Sequence, residues 1–284
     1  MVEVYKTYKM FINNEFVRSE SGRTYKIFDK EGKFLANIPR GSKKDLRDAV
    51  RFAKNALKVW NKKSNYNKGQ IIYRMAEELE NRKSEIINEL KKHNVENPEI
   101  EIQKSIDRLI HYAGWTDKYA HILGTVNTVA SSFINYSVPE YVGVVGSIIS
   151  DTPPLLSFIT QVIPAIVAGN TVVALLNKNP LPVLTFAEVL VASDLPPGVI
   201  NIITQYENEI VDHLVKHMDV NLIDYVGNNQ ELIEKIIEGA SLNVKRIKIK
   251  DMKYQDFYDD EKSEGLYWIE KFVEIKTVWI PQSI

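Results

Sequence analysis

The first 125 residues of the chain show short alternating stretches followed by helical periodicity. Residues 9–39 alternate polar and apolar positions between pairs of turn residues, which predicts short hairpins. The turn pairs are Asn13-Asn14, Ser21-Gly22 and Glu31-Gly32. Apolar residues then recur at helical spacing over residues 43–60, 68–92 and 100–121, with Ser42 placed to cap the first helix.

From Tyr141 the pattern becomes strand–helix–strand. Apolar runs lie at 142–149, 171–176, 199–203, 222–226 and 244–249, and helical stretches lie near 154–168, 183–192, 207–217 and 230–240. Continuous apolar strands separated by helices predict a parallel sheet covered on both faces. The predicted fold class is therefore α/β, with a Rossmann-like parallel sheet flanked by helices. This architecture often binds nucleotides, although the fold alone does not identify a ligand.

Two further stretches predict a small β element beside this sheet. Residues 126–129 and 133–138 are β-rich and flank Ser131-Ser132, which predicts a protruding hairpin. Residues 272–280 form a strand pattern with no obvious use within a single chain, and a lone strand must join some sheet. The hairpin is its natural partner. The acidic, aromatic stretch at 251–265 is interpreted as a linker.

Composition narrows the class of protein. The chain has 284 residues, 44% of them hydrophobic and 26% charged, which is ordinary for a globular protein. A net charge of -1 offers no field that would attract nucleic acid or an acidic membrane. Cysteine is absent, which excludes disulfides and thiolate metal sites. With no signal peptide pattern and no apolar run long enough to span a bilayer, we expect a cytoplasmic protein without nucleic-acid or membrane partners.

Five blocks resemble, in order, the aldehyde dehydrogenase superfamily. They are His111–Trp115, Glu140–Gly146, Ala168–Val173, Leu195–Asn201 and Phe272–Ile280. The resemblance implies a cofactor-type domain and an oligomerisation element made of a hairpin and the C-terminal strand. It runs to about Lys250 and resumes at about Gly265, so a short acidic linker replaces the family's catalytic domain.

The resemblance also implies a division of the chain. The expected parts are N-terminal hairpins and helices over 1–125, an oligomerisation element from 126–139 with 264–284, the sheet domain over 140–250 and the linker over 251–263. In the family, the catalytic domain covers part of the sheet surface. Either the linker or another subunit must cover that surface here.

The chain departs from the family at each catalytic position. Where the family has Pro-Trp-Asn after the first core strand, this chain has Ser150-Asp151-Thr152, so the amide donor to an oxyanion is missing. The general-base glutamate aligns best with Lys250, which is normally protonated near neutral pH. No cysteine exists to attack a carbonyl carbon. We therefore predict no catalytic residue.

The cofactor positions implied by the resemblance are altered as well. They are Ile149, Ser150, Gly227 and Asn228. No acidic residue follows the second strand to hold a ribose, and Lys178 there is either a phosphate contact or a solvated side chain. Asn228 can cap the next helix, with Glu231 completing a capping box, or a phosphate can sit at that helix N-terminus. Leu232 in place of a second glycine argues against close backbone approach. We expect no cofactor, with NAD or NADP as the alternative.

Two pairs of histidines are the remaining candidates for chemistry. His213 and His217 have the four-residue spacing of paired metal ligands. They lack a third ligand, so a half-exposed helix is the simpler interpretation and no metal site is predicted. His111 and His121 are ten residues apart and are assigned to packing or surface.

Three hypotheses about function follow. The first is a non-catalytic family member that assembles through the 126–138 hairpin and the 272–280 strand, as a homo-oligomer or with a full-length aldehyde dehydrogenase. The second is an NAD(P)-dependent aldehyde oxidoreductase. The third is a nucleotide-binding regulatory module. A partner chain that supplies the missing catalytic half in trans is compatible with the first hypothesis.

Overall fold

The computed structural model describes residues 6–130 and 132–282, and it begins with the two hairpins that the alternating pattern predicts. They consist of β1 (Met10–Ile12) with β2 (Glu15–Val17), and β3 (Thr24–Phe28) with β4 (Phe34–Pro39). Phe11 also pairs antiparallel with Ile202, which adds the first hairpin to the main sheet. Local alternation could not predict that long-range contact.

Helices follow the hairpins. They are α1 (Lys43–Lys62), α2 (Asn65–Asn81), α3 (Lys83–Lys92), α4 (Pro98–Ala113) and α5 (Tyr119–Leu123). The predicted cap of α1 is confirmed, because Ser42 and Asp45 bond each other's backbone N–H. The prediction of a single helix over 68–92 is wrong, because the helix is interrupted at Arg82 and two helices form. The predicted helix at 100–121 likewise ends at Gly114. α2 and α3 both bury apolar residues in the same core, so the helical spacing of apolar residues continues across Arg82.

The main sheet confirms the predicted α/β class. Its central strands are β7 (Val144–Ile148), β8 (Thr171–Leu176), β9 (Ile200–Thr204), β10 (Leu222–Val226) and β11 (Arg246–Lys250). They are mutually parallel and lie in the order β11-β10-β7-β8-β9-β1-β2. The helices between them are α6 (Pro154–Val167), α7 (Leu181–Ala192), α8 (Val211–Lys216) and α9 (Gln230–Ser241). Within residues 6–130 and 132–282, no helix has the length and apolar character needed to cross a membrane.

The strand order locates the place where a ligand would be expected. The chain runs outward from β7 through β8 to β9, and then β10 returns to the other side of β7. The carboxyl ends of β7 and β10 therefore flank the switch point of the sheet, where ligands bind in open α/β folds.

A second, three-stranded sheet contains β5 (Thr125–Asn127), β6 (Phe133–Tyr141) and β12 (Val273–Pro281). β12 pairs antiparallel with β6 over its whole length, in the order β12-β6-β5. The predicted pairing of the hairpin with the terminal strand is confirmed. The expectation that the strand has no use within one chain is wrong. Ser131 of the predicted turn, and residues 283–284, lie outside the described residues.

Residues 251–271, called here the cap segment, are folded onto the body. They contain a 3-10 turn (Tyr254–Phe257), α10 (Asp260–Ser263) and α11 (Leu266–Glu270). Phe257, Trp268 and Ile269 are fully buried, and the segment packs against α6. The stretch interpreted as a linker is therefore folded and packed against α6, where it covers part of the body with residues of the same chain.

Candidate functional site

The switch-point crevice is closed on the side of β7 and β8. The backbone N–H of Lys178 donates to Asp151 Oδ1 at 2.8 Å, and Asn179 Nδ2 donates to the Asp151 carbonyl oxygen at 2.9 Å. Burial raises the pKa of Asp151, while the Lys178 amide and charge oppose that rise. These bonds tie the loop after β8 to the loop after β7.

The predicted cofactor residues Ile149 and Ser150 lie at the end of β7, but their polar groups are used within the chain. Ile149 is buried. The backbone N–H of Ser150 donates to Gln161 Oε1 at 3.0 Å, and its hydroxyl donates to the Thr152 carbonyl oxygen at 3.1 Å. Neither residue offers an unpaired donor to a ligand through these atoms.

The predicted cap of α9 is wrong by one residue. Asn229, not Asn228, is the N-cap, and its side chain accepts from the N–H of Leu232 at 3.1 Å. The shift follows from Gly227, whose N–H donates to the Lys250 carbonyl oxygen at 2.9 Å and so extends the strand geometry beyond β10. A capping box with Glu231 therefore does not form at the predicted position.

Tyr225 fills the space in front of this helix. A Cβ atom on Gly227 would collide with the Tyr225 hydroxyl, and the N–H of Asn229 donates to that hydroxyl at 3.4 Å. Tyr225 is buried, with 8% of its surface exposed. At the start of α9, the N–H groups of Asn229 and Leu232 thus have partners within the chain.

These contacts test whether the crevice fits a dinucleotide. A dinucleotide requires close backbone approach at the glycine and open amides at the helix N-terminus. Tyr225 lies against this glycine, and Asn229 occupies the N–H of Leu232. On the side of β8, the cavity bounded by Ile149, Ser150 and the loop after β8 measures about 10 Å³, which is room for roughly one water. A dinucleotide could therefore approach Gly227 closely only if the side chains of Tyr225 and Asn229 moved.

A buried ionic cluster lies inside the sheet next to the crevice. Asp224 Oδ2 accepts from Ser147 Oγ at 2.9 Å and from Gln161 Nε2 at 3.0 Å, and Lys248 Nζ lies 3.2 Å from Asp224 Oδ1. Burial lowers the pKa of Lys248 to about 8. Sequence reasoning missed this pair. The signal was present as Asp224, the one charged residue of the apolar β10, and Lys248 at the middle of the alternating β11, because these two strands turn out to be neighbours.

The cap segment and the adjacent Phe272 complete the burial of that cluster. Lys248 Nζ lies 4.1 Å from the ring centroids of both Trp268 and Phe272. Lys250, at the position aligned with the family's general base, donates from Nζ to the Lys262 carbonyl oxygen at 2.8 Å. Burial lowers the pKa of Lys250. Its side chain therefore holds the cap segment in place.

Arg108 of α4 is the central anchor of the cap segment. The side chain is fully buried, and Nη2 donates to Ser263 Oγ at 2.6 Å and to the Phe257 carbonyl oxygen at 3.0 Å. The carboxylates of Asp260 and Glu264 lie 3.5 Å and 3.6 Å from its guanidinium nitrogens. Two carboxylates and two hydrogen-bond acceptors of the cap segment thus surround the buried guanidinium of Arg108.

The four histidines considered from the sequence do not form a site. α8 ends at Lys216, so His217 lies beyond it, and His217 Nδ1 accepts from the N–H of Asp219 at 3.2 Å. His111 accepts from Trp115 Nε1 at 2.9 Å, and burial lowers its pKa. His121 is exposed. In the described part of the chain no three ligating side chains are grouped as a metal site would require.

Comparisons with known proteins agree with this fold. Residues 16–250 match the aldehyde dehydrogenase family. Retinal dehydrogenase 2 of Gallus gallus is 30% identical over 254 residues, which cover 85% of this chain and 48% of the relative. Omega-crystallin of Enteroctopus dofleini is 30% identical over 252 residues, covering 85% and 50%. The chain spans about half the length of the curated relatives that it matches.

Solved structures give the same result. The NAD+ complex of aldehyde dehydrogenase from Bacillus cereus superposes with a TM-score of 0.81 at 25% identity, covering 87% of this chain and 51% of that one. An NADP-dependent enzyme of E. coli reaches the same TM-score of 0.81 at 17% identity, which shows a common fold.

Proposed function

Because the chain belongs to the aldehyde dehydrogenase family, we propose that it is a non-catalytic member that acts by assembling with other chains. The lack of catalysis is supported first by chemistry. Aldehyde oxidation through a covalent intermediate requires a thiolate, and the chain has no cysteine. Lys250, at the position of the base, is bonded to the cap segment, and Tyr225 blocks the cofactor crevice.

The observation that carries the assembly proposal is the outer edge of β12. This nine-residue strand lies at the edge of the three-stranded sheet, with β6 on its inner side. An edge strand presents backbone N–H and C=O groups that can pair with a further strand. The opposite edge is only partly covered, since β5 pairs with three residues of β6.

The side chains of this sheet support the same proposal. Ile275 and Trp279 of β12 are each 56% exposed, and Val126 of β5 is 84% exposed. Lys276 pairs with Glu140 at 2.9 Å, and Arg246 pairs with Glu274 at 3.1 Å, so the charges along the strand are balanced. An apolar, charge-balanced sheet with an open edge suits a second copy of this chain or the same element of a full-length relative.

Sedimentation velocity at micromolar concentration tests the proposal. We expect the wild-type chain to sediment as an oligomer and the double variant Ile275→Thr, Trp279→Ser to dissociate toward the monomer. Val59→Ser on α1, at a side chain with 53% exposure outside this sheet, is the matched control and should leave the oligomer intact. A wild-type monomer that also fails to co-sediment with a full-length aldehyde dehydrogenase would contradict the assembly role.

A further inference from the structure

A cavity of about 530 Å³ opens beside the closed crevice, at the carboxyl ends of β7 and β8. Pro154 and Asn179 line both spaces. The other walls come from the turn between β3 and β4, the loop between α3 and α4, and the cap segment. The volume is typical of sites for small organic ligands, which range from about 300 to 1,000 Å³.

One wall of this cavity is particular to this chain. Tyr254 and Gln255 of the cap segment contribute to it, and both lie outside the residues 16–250 that match the family. The Tyr254 hydroxyl shares a 2.9 Å hydrogen bond with the Tyr258 hydroxyl, which in turn donates to Glu101 at 3.5 Å. The wall is therefore held in place before any ligand arrives, which lowers the ordering cost of binding.

The lining is rich in groups that both donate and accept hydrogen bonds. It includes three side-chain amides, from Asn94, Asn179 and Gln255, together with the hydroxyl of Thr152. The half-buried side chain of His93 completes this part of the lining.

The charges around the cavity cancel. Lys92 Nζ lies 3.0 Å from Glu89, and the Asp29 carboxylate accepts from the N–H groups of its own turn, at Glu31 and Lys33. Burial and the nearby Lys92 lower the pKa of His93 to about 4, so the imidazole is neutral near pH 7. No unpaired buried charge in the described lining selects an anion or a cation.

We propose that this cavity binds a neutral polyhydroxylated ligand of monosaccharide or disaccharide size. Each hydroxyl of such a ligand donates and accepts, which matches the carboxamides and the hydroxyl of Thr152. Its C–H faces suit the aromatic side chains of Phe28, which is 52% exposed, and Tyr254. This inference is independent of the assembly role, because none of these residues belongs to the three-stranded sheet.

Calorimetric titration with a panel of neutral sugars tests the proposal, using glucose, galactose, mannose, maltose and cellobiose. We expect saturable binding of at least one sugar, and Tyr254→Ala and Gln255→Ala should each weaken it by about tenfold, which is roughly 1.4 kcal/mol. Tyr66→Ala is the matched control, because that exposed tyrosine lies on α2 away from this cavity, and it should bind like wild type.

Three results would overturn the proposal. One is the absence of heat for the whole panel at concentrations up to about 10 mM, which is weaker than most specific sites. Another is binding that Tyr254→Ala and Gln255→Ala leave unchanged. The third is saturable binding of acetate or phosphate in place of the neutral sugars. Gln255 is exposed, so its variant keeps the test valid if the tyrosine variant does not fold.

Discussion

Glu101 is a carboxylic acid whose pKa is strongly altered by its surroundings. Its carboxylate is fully buried and accepts from the N–H groups of Leu155 at 2.8 Å and Leu156 at 3.2 Å, in the first turn of α6. Burial raises its pKa to about 7, although these hydrogen bonds and Tyr258 oppose the rise. A carboxylate at a helix N-terminus is favoured by the helix dipole, but here desolvation outweighs that effect.

This shift predicts a pH dependence of stability. The folded chain holds the Glu101 proton more tightly than the unfolded chain, whose pKa is near the ordinary 4.5. The free energy of unfolding should therefore fall as pH rises from about 4.5 through about 7, by about 3 kcal/mol from this group. Glu101→Gln, which cannot ionise, should lack that decline in urea titrations across this range.

The matched control is Glu99→Gln, because Glu99 lies on the same helix and is exposed. It should keep the wild-type pH profile. A Glu101→Gln variant whose unfolding free energy tracks that of wild type from pH 5 to pH 8 would contradict the raised pKa.

Tyr225 predicts how the chain responds to dinucleotides. Because its hydroxyl lies against Gly227 and accepts from Asn229, wild type should give no calorimetric signal with NAD+, NADP+ or ADP at about 1 mM. Tyr225→Ala should expose the α9 amides and gain measurable ADP binding. Tyr225→Phe is the matched control, since its ring still fills the space, and it should stay silent.

Wild-type binding of a dinucleotide below about 1 mM would show that the crevice is open. Failure of Tyr225→Ala to gain binding, while it remains folded, would show that Tyr225 is not what closes it.

At the residue scale, sequence patterns predict what depends on neighbours along the chain. The pairing of Ser42 with Asp45 is of that kind, because both bonds lie within one helical turn. The N-cap of α9 depends on a more distant contact. Gly227 bonds to the neighbouring strand β11, and the helix is capped by Asn229, one residue later than predicted. The partner of Lys248 likewise depends on the order of strands.

At the element scale, the cap segment depends on one buried cation. Arg108→Met should remove the guanidinium from beside Glu264 and Asp260 and remove two hydrogen bonds from the cap segment. Hydrogen bonds to a charged group contribute about 1.5–3 kcal/mol each, so the loss of two is enough to raise amide exchange in residues 251–271 on the order of a hundredfold. Hydrogen–deuterium exchange with peptide resolution measures this.

Lys104→Met is the matched control for that prediction. Lys104 lies one turn from Arg108 on α4 and pairs with Asp260 at 2.6 Å, but its side chain is 29% exposed. A partly exposed ion pair contributes at most about 1 kcal/mol, so exchange in the cap should change little. Equal protection of residues 251–271 in wild type and Arg108→Met would show that Arg108 does not anchor the cap.

The cap segment was also the element hardest to predict. Its buried residues Phe257, Trp268 and Ile269 follow neither the period of a helix nor that of a strand, because they lie in two separate elements of only four and five residues. The parallel strands were predicted well for the opposite reason. Residues buried on both sides give unbroken apolar runs, as in β8, where every position is buried.

At the scale of the whole molecule, the cap segment lets half of a family fold close its own core. Phe257, Trp268 and Phe272 join the same apolar cluster as the residues of α4 and α6. After the cap segment, β12 returns to pair with β6. The three-stranded sheet is therefore retained, although residues 251–271 separate β11 from β12 along the chain. The retained fold and the proposed loss of catalysis are thus separate features of one chain.

An assay of dinucleotide reduction by the purified chain tests this separation most directly. The chain would be incubated with NAD+ or NADP+ and aliphatic or aromatic aldehydes, and absorbance at the wavelength of the reduced nicotinamide would be followed. We expect a rate equal to that of the blank, because the chain has no cysteine to form the covalent intermediate. Reduction that rises in proportion to the concentration of this chain, and that remains with it through further purification, would contradict the proposal.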